Sequence, residues 1–68
     1  MTNTNPLSNR EIIIELSPFG NVMKVSAMDI KTLTEVTIQG PLNASEAVLK
    51  NNAIKRLEYV LRKNGHID

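Results

Sequence analysis

Cysteine is absent from this chain, and so is tryptophan. Without cysteine there is no disulfide, and no thiolate for the usual structural zinc site. A single histidine, His66, lies near the C-terminus, so one copy cannot assemble a histidine-based metal cluster. One phenylalanine and one tyrosine leave little aromatic mass for a core. No apolar run exceeds three residues, Ile12-Ile13-Ile14 among them. That is far short of the ~20 needed to cross a bilayer, so no membrane partner is expected. The three glycines, Gly20, Gly40 and Gly65, are too scattered for a phosphate-binding loop. The opening Met1-Thr2-Asn3-Thr4-Asn5-Pro6 has neither a basic nor an apolar segment and does not read as a secretory leader. Together with the missing cysteine, this points to a reducing, cytoplasmic setting.

The 68 residues allow one domain. A domain of this size buries only ~60% of the surface that its unfolded chain exposes, so its stability is marginal. With disulfides and metals set aside, self-association is the remaining route to extra stability. The net charge of +1 is unevenly placed. Residues 1–42 carry three basic and four acidic groups, whereas residues 43–64 carry five basic and two acidic.

Residues 1–9, rich in Asn, Thr and Ser, read as a disordered tail. From Arg10 a period of two sets in, with Ile12, Ile14 and Leu16 on one face and Glu11 and Glu15 on the other, which predicts a strand. Ser17-Pro18-Phe19-Gly20-Asn21 has the composition of a turn. A second strand is expected from Val22 to Asp29 with Met23, Val25 and Ala27 inward. Asp29 or Thr32 can cap the next turn, and a third strand follows from Thr34 to Gln39, ended by Gly40-Pro41. Pairing Leu16 with Met23, Ile14 with Val25 and Ile12 with Ala27 puts all six on one side. That register sets Glu15 against Lys24 and Ile13 against Ser26. Pairing Ala27 with Val36 and Val25 with Ile38 extends the same face. Each hairpin then has a four-residue loop, and a one-residue slip in either would oppose apolar to polar.

A helix is predicted from about Asn43 or Ser45, with Asn43 and Glu46 at capping-box spacing. Ala47, Leu49, Ala53, Ile54, Leu57, Val60 and Leu61 share one arc of it. Glu46–Lys50 and Glu58–Arg62 have the spacing of stabilising ion pairs, and Gly65 is a natural stop. The expected fold is therefore α+β: a three-stranded antiparallel meander with one C-terminal helix packed on one face (βββα). It occupies residues 10–64, with 65–68 as a C-terminal tail.

Lys24-Val25-Ser26-Ala27-Met28-Asp29, the stretch from Glu35-Val36 to Gly40-Pro41, and Ala53, Lys55-Arg56-Leu57 and Tyr59-Val60 resemble a small domain family of unknown function found mainly in alphaproteobacteria. The resemblance spans roughly residues 10–63 and brings no catalytic or binding residues with it. It implies a glycine in the second turn, where this chain has Leu33. Some relatives carry the label serine hydroxymethyltransferase. A pyridoxal-phosphate enzyme needs several times this length to enclose its cofactor, so that activity is not expected here. The strand–strand–strand–helix order is also similar to the C-terminal part of a double-stranded-RNA-binding domain. The lysine cluster that opens the last helix of that family is replaced here by Asn43-Ala44-Ser45-Glu46.

Two surfaces stand out as binding candidates. Asn52, Lys55, Arg56, Tyr59 and Lys63 form a basic stripe around an aromatic on the outer flank of the helix, suited to phosphates and a stacked base. The sheet face that the helix leaves uncovered carries Ile13, Val22 and Met28 among polar residues and suits a protein contact. Phe19 is either a binding anchor at the first turn or, as more often happens, a lid over the end of the core. Ser17, Ser26 and Ser45 have no histidine on a neighbouring element to activate them. Glu11, Asp29 and Glu35 could approach one another at one sheet end as a weak cation site, a polar rim being the plainer expectation. No catalytic residue, cofactor site, metal site or small-molecule substrate is assigned. The sequence predicts a non-catalytic module that binds a protein or a second copy of itself, with weak RNA binding through the helix flank as the alternative.

Overall fold

A computed structural model describes residues 9–68; apart from Asn9, the expected disordered tail lies outside the described residues. Three antiparallel strands are followed by one helix: β1 (Ile12–Phe19), β2 (Val22–Asp29), β3 (Thr34–Pro41) and α1 (Glu46–Lys63). The strands form a meander in the order β1-β2-β3, as the alternating pattern predicts. The central strand supplies the fully buried Val25 and Ala27. The helix supplies Leu49, Ala53, Leu57 and Leu61, a stripe with a period of four. Each fully buried leucine contributes roughly 2 kcal/mol relative to an exposed one.

The second hairpin has the predicted register, with Ala27 opposite Val36 and Val25 opposite Ile38. The first does not. Leu16 pairs with Val25, Ile14 with Ala27 and Ile12 with Asp29, a shift of two residues from the expected register. A two-residue shift leaves every side chain on its face, so alternation alone cannot distinguish the two registers. Turn chemistry decides instead. Gly20-Asn21 forms a two-residue loop, with φ +61° at Gly20 and no positive φ at Asn21, the pattern of a type II′ turn. Ser17-Pro18-Phe19 therefore belongs to β1 rather than to a loop. Glu15 faces Ser26, Lys24 faces Ser17, and Ile13 meets Met28 directly.

Pro18 is tolerated for a reason visible in the ladder. The Glu11 carbonyl accepts from the Ile30 N–H at 3.1 Å, so Glu11 and every second residue after it direct their backbone groups at β2. Pro18 belongs to the other set, and its missing donor faces the free edge. Pro41, which the sequence places beyond β3, is likewise its last residue, because Leu42 rather than Pro41 donates across to Asn21 at 3.3 Å.

Ser45 is the N-cap, its hydroxyl accepting from the Val48 N–H; Asn43 lies outside the helix. Ala47, expected inward, is exposed, and Ile54 and Val60 are half-buried flanks. Of the two expected helical ion pairs, Glu58–Arg62 forms at 3.0 Å, and no Glu46–Lys50 pair occurs among the described residues. The helix ends in a Schellman motif: the His66 N–H donates to Leu61 O at 2.8 Å and the Gly65 N–H to Arg62 O at 3.1 Å, with φ +81° at Gly65. Beyond it the chain folds back, and Ile67 packs against the core. The helix sits over β3 and β2 and reaches β1 least, so Ile12, Ile14 and Leu16 stay half-buried. Gly40 admits the start of the helix, since a Cβ there would collide with the Leu49 side chain.

Candidate functional site

The pleat sends alternate side chains of each strand to the face opposite the helix. Given the registers, that open face is built of four rows. Phe19, Val22 and Pro41 form the row at the Gly20 end. Ser17-Lys24-Gln39 and Glu15-Ser26-Thr37 form the middle, and Ile13-Met28-Glu35 the far row. An apolar row at one end, and at the other a row of two apolar residues and Glu35, thus flank a polar band. Ile13, Val22, Met28 and Phe19, the four residues predicted as a protein contact, all lie on this one face. A shallow depression of about 270 Å³ runs across it, lined by Glu15, Ser17, Phe19, Lys24, Ser26, Glu35 and Thr37.

Phe19 does not fold over the end of the core. It is 69% exposed, with the Lys24 ammonium 5.5 Å from its ring centroid. The reason is parity: Phe19 is in register with Val22 on β2, so its side chain must leave on the open side. Reading 17–21 as a turn hid that. The dipeptide Gly20-Asn21, a standard two-residue hairpin signal, was the clue in the sequence.

The helix stripe also takes shape. Asn52, Lys55, Arg56, Tyr59 and Lys63 are all exposed, and the Arg56 guanidinium lies 5.6 Å from the Tyr59 ring centroid. This contact occupies one face of the only tyrosine, the ring that a base would stack on.

The proposed approach of three carboxylates does not occur. Glu11 and Glu35 are exposed, whereas Asp29 is fully buried on the helix side. Its Oδ2 accepts from Arg10 Nη1 at 2.8 Å, from the Thr32 N–H at 3.0 Å and from Thr32 Oγ1 at 2.7 Å. Thr34 Oγ1 lies 2.7 Å from that same hydroxyl. Arg10 Nη2 in turn donates to the His66 carbonyl at 2.9 Å, which ties the start of β1 to the end of the helix. Burial alone would raise the Asp29 carboxyl, but the Thr32 hydrogen bonds and the Arg10 charge outweigh it and hold the group below its ordinary 3.8. Asp29 Oδ1 is buried without a hydrogen-bond partner among the described residues. This is a structural clamp, with its cation supplied by Arg10. Sequence reading flagged Asp29 as a turn cap and missed Arg10, which is 19 residues away in the chain. Leu33 closes the same turn with φ +60°, taking the conformation for which the family resemblance implied glycine.

Among the described residues, no three His, Cys, Asp or Glu side chains gather as a metal site. No described helix is long and apolar enough to cross a membrane. The molecule is a small α+β domain with a three-stranded meander backed on one side by a helix. The chain belongs to the family described as Domain of unknown function (DUF6898), whose profile matches residues 9–64. No curated protein and no solved structure matches the chain.

Proposed function

We propose that this domain is a non-catalytic interaction module that uses the open face of its sheet to hold another protein. The observation that carries this reading is the placement of Phe19, Val22, Ile13 and Met28. Alternation puts all four on the face away from the helix, where no described segment covers them. Exposed Phe19 beside Val22 and Pro41 supplies apolar contact, and Lys24, Glu15 and Glu35 set the orientation of what docks. Among the described residues, one face of the helix closes the core, and the half-buried Arg10 and buried Asp29 form the clamp.

A second reading, RNA binding through the helix, is favoured by the shared exposure of Lys55, Arg56, Tyr59 and Lys63. The two separate cleanly. Tagged full-length chain is used to capture proteins from an extract of the source cells, alongside a Phe19→Ser/Val22→Thr variant and a Lys55→Glu/Arg56→Glu variant. The module reading expects one protein retained by the wild type and the helix variant and lost with the open-face variant. Amide-shift titration with short RNA supplies the other arm. Saturating shifts confined to 52–63 that weaken steeply with salt would replace this reading with the second.

A further inference from the structure

Among the described residues both outer strands of the sheet have a free edge, and the two edges differ. The helix stands over β3. Pairing two copies through β3 would bring together two helical segments (43–64), each net positive by three charges. The β1 edge lies away from the helix. Its inner residues Ile12, Ile14 and Leu16 are half-buried, Glu15 is its only charge, and Pro18 at one end is its only blocking residue. The backbone groups of Ile12, Ile14 and Leu16 point outward from this edge, because Glu11 and its alternates point at β2.

We propose that two copies of the chain pair antiparallel through β1, with Ile14 on the two-fold axis, to make one six-stranded sheet. This rests on the interaction-module reading and names a second copy as one of its partners. The register follows from four constraints. Both helices lie on the same side of a continuous sheet only if inner residues meet inner residues. Hydrogen-bonded pairs form only between outward-pointing residues, which gives Ile14 opposite its own copy and Ile12 opposite Leu16 of the second copy. On the open face, Ile13 then meets Glu15 of the second copy and Glu11 meets Ser17, so no like charges are opposed. Shifting the pairing in one direction sets Glu15 against Glu15, and shifting it in the other sets Glu15 against Glu11, both unfavourable. A further shift around Leu16 brings in Pro18, which has no donor. In the chosen register six aliphatic side chains form one continuous inner row, and the two open faces become a single surface of double width.

The test is sedimentation of the full chain across roughly two decades of concentration, because a weak dimer must follow mass action. Three exposed-face variants accompany it. Ile13→Glu would face Glu15 of the second copy and is expected to weaken the dimer by about tenfold. Ile13→Lys would face the same carboxylate and is expected to keep or tighten it. Phe19→Ser lies beyond the ladder and is expected to leave it unchanged. In the concentrated sample, amide hydrogen exchange at Ile12, Ile14 and Leu16 should slow together. A chain that stays monomeric throughout would overturn the proposal, as would equal weakening by both Ile13 variants or unprotected amides at those three positions. Loss of the dimer with Phe19→Ser alone would point to packing through the open faces. The module reading fails separately, through the capture experiment.

Discussion

The two ends of the sheet are held in different ways. At the Asp29 end, a buried carboxylate gathers Arg10, Thr32 and the loop from Ile30 to Leu33, and Arg10 extends the link to His66. At the Phe19 end, a glycine-initiated two-residue turn joins the strands, and the side chains there face outward. One end is locked by an ion pair and the hydrogen bonds gathered on its buried carboxylate. The other is shaped by the turn's backbone conformation, a backbone bond from Leu42 and a surface contact from Lys24, which leaves its apolar row exposed. The contrast shows how a domain this small can stay folded while exposing its only phenylalanine.

The comparison breaks most sharply at the clamp. Arg10→Ala leaves Asp29 buried with only Thr32 to hold it and should cost about 3 kcal/mol in urea unfolding. The pH dependence has a definite sign. The folded-state pKa of Asp29 lies below its unfolded value, so its contribution is fully present above the unfolded value and is lost as pH falls through the folded one. In Arg10→Ala the folded-state value rises toward the unfolded one, because burial is then less opposed, so the contribution shrinks and its loss is complete at a higher pH. Next in size is Gly40→Ala, which drives a methyl group into Leu49 and should cost about 1–2 kcal/mol, read as a drop in urea midpoint at unchanged slope. Gly20→Ala should cost about 1–2 kcal/mol: a Cβ there meets no atoms, but the first central position of a type II′ turn has a backbone conformation that only glycine adopts freely. Smallest, and opposite in sign, is Leu33→Gly, which relieves a left-handed residue that is 69% exposed and should raise stability by roughly 0.5 kcal/mol. A larger effect at Gly20 than at Arg10 would reverse the contrast between the ends.

The fold was legible because two periods were clean. Ile12-Ile14-Leu16, Val25-Ala27 and Val36-Ile38 specify faces, and Leu49-Ala53-Leu57-Leu61 specifies the helix stripe. The first hairpin was not, because Pro18 suggested a turn while its missing donor in fact sits on a free edge. The open-face candidates were legible as positions, since parity survives a two-residue shift. Which of them meet was not: Phe19 joins Val22, and Ile13 joins Met28, only in the observed register. The clamp was out of reach because nothing local to Arg10 marks it as the partner of Asp29. Gly40 hid its role for a related reason, as its constraint comes from a helix that begins six residues later, at Glu46.

The central claim is that the inner face and the clamp hold the fold while the Phe19 row is free to bind. Urea unfolding of Phe19→Ser/Val22→Thr against the wild type tests it directly, in dilute solution where association is absent. The account predicts a difference within about 1 kcal/mol, because Phe19 loses only a surface contact with Lys24 and Val22 only part of its cover. A loss of about 3 kcal/mol or more would place these side chains in the core's support and contradict the account.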